Sequence, residues 1–151
     1  MPITFLEDLT IAQRFGSGSL RVEREGIRRF AAEFDPQPFH LGEQAAQKTM
    51  FRSLVASGRH TAALSMRLLV ESDFRSAGGM IGVKMEELHL PRPVRLGDKL
   101  RLETEILAIQ PSKSNPEKGW AKMRVTTLNQ ADKVVQMYTV NILVLARRQA
   151  L

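Results

Sequence analysis

The stretch that most restricts the possible folds of this chain is an apolar helix near its middle. It runs from Gly58 to about Ser72, and in HTAALSMRLLVES apolar residues occupy almost every side, interrupted only by Ser65 and Arg67. A helix that is apolar all round is a buried helix. The sequence therefore predicts a helix that the rest of the fold covers, and His60 in its first turn is interpreted as a structural residue.

The segments that follow this helix have the alternating pattern of strands. One face of DKLRLETEIL carries Leu100, Leu102, Thr104 and Ile106. Charged residues occupy its other face, which is typical of a half-buried antiparallel strand. Further strands are predicted over residues 82–90, 121–128 and 133–145, with a hairpin turn at NQADK. Before the central helix, Ser19 to Phe30 begins as a mixed segment and then resembles a short helix. One long helix and at least four antiparallel strands predict an α+β fold in which a curved sheet wraps around the helix.

Such a sheet covers only one side of the central helix. A monomer would leave the other side, together with an edge of the sheet, facing water. A second copy of the chain is the simplest cover for both surfaces. We therefore expect a homodimer or a higher homo-oligomer.

A carboxylate and an imidazole stand five residues apart in FDPQPFH, which runs from Phe34 to His40. Pro36 and Pro38 prevent this segment from being the interior of a helix, so the chain is turned or semi-extended there. Such a turn can bring Asp35 and His40 to one water molecule, which the two groups can polarise near neutral pH. The residues alone leave another interpretation open: Asp35 could form an Asx turn, and His40 could cap the short helix predicted in LGEQAAQKT.

Composition narrows the classes of partner and compartment. The 151 residues include no cysteine, which removes disulfides and cysteine-ligated metals and fits a reducing compartment. A formal net charge of +6 permits an anionic partner, but the basic residues are scattered and aromatics are few, so nucleic acid is not expected. No apolar run is long enough to span a membrane, and MPITFLEDLT lacks the basic start of a signal peptide. We expect a cytoplasmic protein with one domain over residues 1–151.

Four stretches, taken in order, resemble MaoC-like dehydratases, the single-hotdog relatives of (R)-specific enoyl-CoA hydratase. They are FDPQPFHLGEQAA, LVASGRHTAALSMRLL, LPRPVRLGDKLRLETEIL and PSKSNPEKGWAKMRVTTLNQ. The resemblance extends roughly from Phe15 to Leu145 and centres on the pattern Asp-x-x-Pro-x-His. It implies a single hotdog fold, in which an antiparallel sheet wraps around a long central helix.

The resemblance also implies roles for individual residues. Asp35 and His40 match the catalytic pair of the family, and Gly58 matches the glycine whose backbone N–H binds the thioester oxygen. The candidates for lining the substrate pocket are Gln37, Phe39, Ser57 and Ser65. The chain departs from the family at Gln37, where asparagine is usual, and at Arg59, where relatives often carry an aromatic residue. Neither a metal nor a redox cofactor is implied.

The implied substrate is an acyl-CoA thioester, and the implied reaction interconverts a 2-enoyl-CoA and a 3-hydroxyacyl-CoA. Hydration needs a base that takes a proton from water, an acid that protonates C2, and donors that hold the enolate oxygen. A glycine at a helix N-terminus offers a free N–H with no side chain to block the approach. Two alternatives stay open: a hotdog thioesterase, in which the carboxylate directs water at the carbonyl, and a non-catalytic acyl-CoA binding module.

Overall fold

The computed structural model describes residues 2–147 and contains five strands and four α-helices in that range. In chain order these are β1 Arg14–Arg21, α1 Arg24–Phe34, α2 Pro38–Leu41, α3 Glu43–Gln47, α4 Gly58–Val70, β2 Ile81–His89, β3 Lys99–Pro111, β4 Lys118–Leu128 and β5 Val134–Leu145. Within residues 2–147 no helix is both long and apolar enough to cross a membrane. The full extent of the predicted domain, residues 1–151, stays a prediction.

The five strands form one antiparallel sheet with the order β1-β3-β4-β5-β2. The predicted inner face of β3 is confirmed, because Leu100, Leu102, Thr104 and Ile106 are at most 2% exposed. The predicted hairpin turn lies between β4 and β5, and β2 starts and ends within one residue of its predicted bounds. The α+β prediction is therefore confirmed.

The central helix α4 buries one face against the sheet. Its buried residues are His60, Thr61, Ser65, Leu68 and Leu69. The opposite face is open in the single chain, where Met66 is 43% and Val70 48% exposed. The sheet thus wraps around the helix from one side only, and the other side of α4 is open in a single chain, as the sequence predicts. This arrangement is the hotdog fold that the resemblance implies.

The first strand is absent from the prediction. The sequence predicts a mixed segment and then a short helix over 19–30, whereas β1 pairs with β3 and α1 begins only at Arg24. The stretch RFGSGSLR contains Gly16 and Gly18, and glycine inside a strand weakens its signal and often marks a bulge. The register with β3 does shift between Gly16 and Ser19.

The short helix predicted after His40 is two helices in the structure. α2 already contains His40, and α3 follows after Gly42. Pro38 occupies the first turn of α2, where a missing backbone N–H breaks no helical hydrogen bond. The proline therefore starts the helix that carries the imidazole instead of keeping the imidazole out of a helix.

Candidate active site

Local chain geometry brings the carboxylate and the imidazole of FDPQPFH together. Asp35 follows the last residue of α1 and precedes Pro36, which disfavours a helical conformation at the residue before it. The chain then turns into α2 and returns His40 towards the end of α1. The Nε2 atom of His40 lies 3.3 Å from Oδ2 of Asp35. The interpretation of Asp35 and His40 as a spatial pair thus agrees with the geometry.

His40 is fixed in orientation by a backbone carbonyl. It is 5% exposed, its Nδ1 lies 2.7 Å from the carbonyl oxygen of Val55, and the ring of Phe39 meets its ring edge-on at 4.5 Å. Because a carbonyl oxygen can only accept, Nδ1 must carry the hydrogen. In the neutral imidazole, Nε2 is then a hydrogen-bond acceptor that faces the carboxylate of Asp35.

The carboxylate of Asp35 is held by two side-chain donors. Gln37 donates from Nε2 to Oδ1 at 2.6 Å, and Ser57 donates from Oγ to Oδ2 at 2.7 Å. These hydrogen bonds, that from Gln37 first, lower the pKa of Asp35 below its ordinary value of 3.8, and the charge of His40 adds a smaller effect. Asp35 therefore stays ionised and acts as an acceptor through the neutral pH range.

Ser57 connects this carboxylate to the first turn of α4. Its Oγ is the N-cap of the helix and accepts a hydrogen bond from the backbone N–H of Arg59 at 3.2 Å. Gly58 is the first residue of α4, so its own N–H has no acceptor inside the helix. The hydrogen bond between Ser57 and Asp35 therefore places Gly58 beside the Asp35–His40 pair.

Not every predicted pocket residue reaches this site. Gln37 and Ser57 contact Asp35 directly, and Phe39 packs against His40 and lies 5.2 Å from the ring of Phe51. Ser65 lies two turns farther along α4, where it is fully buried and its Oγ is 2.7 Å from Oγ1 of Thr127. The structure thus brings all the candidates but Ser65 to the pair.

His60 lies closer to the site than the sequence indicated. It is 8% exposed, stacks on Phe30 of α1 with 4.9 Å between ring centroids, and its Nδ1 is buried without a hydrogen-bond partner. Burial first, and the charge of His40 second, lower the pKa of His60 below its ordinary value of 6.5, which favours the neutral imidazole. Only its position three residues after Ser57, in the helical turn that caps the site, could have indicated this in the sequence.

We expect the buried His60 to make the fold less stable in mild acid. The pKa of His60 is lowered in the folded state, so the unfolded chain takes up a proton at a higher pH than the folded chain does. The free energy of unfolding therefore keeps its full value above pH 6.5 and decreases as the pH falls below 6.5. Between pH 7.5 and pH 5.5 the urea midpoint of unfolding should therefore decrease more for the parent than for His60→Phe, a variant that keeps a ring against Phe30. The exposed His89 provides the control His89→Gln, whose midpoints should follow the parent. Equal pH dependence in the parent and His60→Phe would contradict this role.

Within residues 2–147 no group of three or more His, Cys, Asp or Glu side chains is placed to hold a metal ion. The site instead combines two hydrogen-bond acceptors, the carboxylate of Asp35 and Nε2 of His40, with the N-terminus of α4. Such a set can polarise one water molecule and hold a carbonyl oxygen.

Comparisons with known proteins show the family of the chain. The family model described as MaoC like domain matches residues 8–129. The Bacillus subtilis (strain 168) protein described as uncharacterized protein YdeM is 36% identical over 143 residues, which are 95% of this chain and 99% of that protein.

Two solved structures are similar over almost the whole chain. The MaoC-like dehydratase from Rhodospirillum rubrum is 50% identical, with a TM-score of 0.91 over 97% of this chain and 99% of that one. R-hydratase PhaJ1 from Pseudomonas aeruginosa is 25% identical, with a TM-score of 0.75 over 97% of this chain and 92% of that one. Since the family model covers most of the chain, the protein belongs to the MaoC-like domain family.

Proposed function

We propose that this protein is an acyl-CoA hydratase/dehydratase that interconverts a 2-enoyl-CoA and a 3-hydroxyacyl-CoA. The observation that carries the proposal is the arrangement of two acceptors, Oδ2 of Asp35 and Nε2 of His40, 3.3 Å apart beside the free N–H of Gly58. One water molecule can donate a hydrogen to each acceptor, which leaves its oxygen lone pairs free for attack. Similarity to a MaoC-like dehydratase and to an R-hydratase supports the same chemistry.

The proposed reaction follows from these positions. The thioester oxygen accepts a hydrogen bond from Gly58, and the activated water attacks C3 while the pair takes its proton. Electrons of the double bond move towards the thioester, and the enolate oxygen is held by the N–H of Gly58 at the positive end of α4. The proton held by the pair then passes to C2, which completes the addition. Dehydration is the reverse path through the same positions.

The proposed reaction needs neither a metal nor a redox cofactor, because no electrons are transferred and backbone N–H donors can hold the developing charge. The proposed partners are the acyl-CoA substrate and further copies of the chain, with no role for nucleic acid or a membrane. The proposed compartment is the cytoplasm, in keeping with a sequence that contains no cysteine.

A spectroscopic assay tests the proposal against its two rivals. Purified protein is mixed with 2-enoyl-CoA thioesters of graded chain length while ultraviolet absorbance and free thiol are followed. We expect loss of enoyl absorbance without thiol release. Thiol release would indicate a thioesterase, and saturable binding with neither change would indicate a binding module. Either result would overturn the proposed function.

The homodimer expected from the sequence is part of the proposal. β2 is an edge strand, and its exposed apolar residues, together with those just after it, are Ile81, Val83, Met85, Leu88 and Leu90, each 42–54% exposed. They lie next to the open face of α4, and a cavity of about 290 Å³ between the two is lined by Met66, Met85 and Tyr138 among others. A soluble monomer rarely exposes so continuous an apolar surface.

We expect light scattering at micromolar concentration to give at least twice the mass of one chain. Met85→Lys should shift the mass towards one chain, because it places a charge in the middle of the edge strand. Met50→Lys is the matched control: Met50 is 88% exposed but lies in the loop after α3. A parent that scatters as a single chain would contradict the dimer.

A further inference from the structure

A groove of about 330 Å³ lies between α1, α4 and the end of β1. The α4 residues that line it are His60, Leu64 and Arg67, which recur at i, i+4 and i+7 and therefore share one face of the helix. Met66, which lines the cavity next to β2, lies on nearly the opposite face. The proposed contact between subunits thus leaves this groove open, and its volume is at the lower end of the range for small-molecule sites, ~300–1,000 Å³.

His60 lines the groove as a buried polar side chain whose hydrogen-bonding capacity is unused. It is 8% exposed, and its Nδ1 has no partner within residues 2–147. The edge of the ring that carries Nε2 and Cε1 faces Gly26, because a Cβ added to that glycine would lie 3.9 Å and 3.7 Å from these two atoms. A buried polar group in this state requires an explanation, and a ligand that accepts a hydrogen bond from Nε2 supplies one.

The first turn of α1 forms the wall of the groove beside His60. The N-cap residue of this helix, Glu23, makes no side-chain hydrogen bond to it, and within residues 2–147 the N–H of Gly26 has no acceptor. Free N–H groups and the partial positive charge at a helix N-terminus together favour an anion. Glycine inside a helix is less stable than alanine, but the absence of a side chain at Gly26 leaves the backbone open to the groove.

Three guanidinium groups reach the groove from three different elements. Arg21 ends β1, Arg29 lies on α1 and Arg67 on α4. Arg29 forms no ion pair or hydrogen bond within residues 2–147, and each of the other two uses one nitrogen for a hydrogen bond, so all three retain free donors. The carboxylates of Glu23 and Glu25 also line the groove, and three positive against two negative charges leave a net charge of +1 there.

We propose that this groove binds a small phosphate ester. The phosphate oxygens accept hydrogen bonds from the backbone N–H of Gly26, from Nε2 of His60 and from the guanidinium of Arg29. A phosphate has enough oxygen atoms to meet donors that arrive from two helices, and an arginine pairs with it through two parallel hydrogen bonds. The organic part of the ester packs on apolar side chains of the groove, among them Leu20 and Leu64. This binding is independent of the proposed function, because none of these residues belongs to the proposed catalytic site.

Calorimetric titration with butyl phosphate at constant ionic strength tests this site. We expect saturable binding by the parent. Arg29→Met removes the fork and should raise the dissociation constant by about 10-fold to 100-fold, the range of a hydrogen bond to a charged group. Gly26→Ala fills the space between α1 and His60 and should raise it by at least about 10-fold. His60→Phe, which keeps a ring but loses the donor, should also weaken binding.

Two further measurements separate loss of the ligand from loss of the fold. The methyl group added in Gly26→Ala makes only ordinary contacts, and alanine is the better helix former, so the unfolding temperature should be at least that of the parent. Arg14→Met is the matched control for the loss of a positive charge, because Arg14 is exposed and pairs with Glu105 outside the groove, and it should keep the dissociation constant of the parent. No saturable binding by the parent, or equal dissociation constants in the parent, Gly26→Ala and Arg29→Met, would overturn the proposal. So would an Arg14→Met variant that loses as much affinity as Arg29→Met.

The phosphate ester has two possible sources, a separate small molecule and the CoA of the substrate, and a titration with CoA distinguishes them. If the ligand is a separate molecule, Gly26→Ala should bind CoA as tightly as the parent does. If CoA itself supplies the phosphate, Gly26→Ala and Arg29→Met should weaken CoA by the same factors as butyl phosphate. Since neither titration measures hydration, a failure of the proposed function leaves this test intact.

Discussion

Replacing Asp35 with asparagine, or His40 with alanine, should lower kcat for the best enoyl-CoA by about 100-fold to 10,000-fold, the usual contribution of a general acid–base group. The amide of asparagine removes the negative charge and puts donors where the water needs an acceptor. The amide N–H groups of the variant would also face Gln37 or Ser57, and in the parent both of these residues donate a hydrogen bond to the carboxylate of Asp35. Steady-state hydration rates of the purified variants provide the measurement.

The double variant should lose far less than the product of the two single losses, because both groups act on one water molecule. Asp35→Asn should fold like the parent, since Asp35 is partly exposed. His40→Ala removes a buried ring that contacts Phe39 and the carbonyl of Val55, so its folding is checked by thermal unfolding before rates are compared. Asp73→Asn, at an exposed position after α4, is the matched control and should keep the parent rate. If Asp35→Asn stays dimeric and hydrates within a few-fold of the parent, FDPQPFH is only a turn and the binding module becomes the better interpretation.

Substitution of Gly58 by alanine should lower kcat by about 100-fold, near the lower end of the loss that follows removal of an oxyanion donor. The added methyl group would lie beside the N–H that is proposed to hold the thioester oxygen. It would also meet Cδ1 of Leu90 at 2.8 Å, which is the far end of a flexible side chain that can shift by a rotation about its own bonds. Thermal unfolding should therefore change little while kcat falls.

Two further variants separate the donor role of Gly58 from its packing. Gly18→Ala adds a methyl group with nothing within 4 Å and should keep the parent activity. Leu90→Ala, combined with Gly58→Ala, removes the close contact without restoring the open approach to the N–H. If that double variant recovers the parent rate, Gly58 matters for packing against Leu90 and the proposed oxyanion role is wrong.

The parts of this site that the sequence predicts are those fixed by local chain geometry. Two prolines in seven residues force a turn, which allows Asp35 and His40 to approach each other, but the residues alone are equally compatible with an Asx turn at Asp35 and a helix cap at His40. The start of α4 at Gly58 follows from the change to an apolar helical pattern, with Ser57 as a suitable N-cap. The period-2 pattern of β3 likewise fixes which residues face the core.

The remainder depends on contacts between segments that are distant in the sequence. The hydrogen bond from Ser57 to Asp35 joins residues on two different helices, and the contact of His60 with Phe30 joins α4 to α1. Ser65 has the right residue type for a pocket, but only the position of β4 decides that it bonds Thr127 instead. No local pattern encodes these contacts, because they follow from how the helices and the sheet pack.

The central claim is that Asp35 and His40 direct water at C3 of an enoyl thioester, and isotope labelling tests it most directly. A 2-enoyl-CoA is incubated with the parent in water enriched in oxygen-18, and the products are separated and weighed by mass spectrometry. We predict one labelled oxygen on C3 of a 3-hydroxyacyl-CoA whose thioester is intact, and an initial rate of formation of this product that is at least about 100-fold lower with Asp35→Asn. Label in a free carboxylic acid, or an equal initial rate of labelled product formation with Asp35→Asn, would contradict the claim.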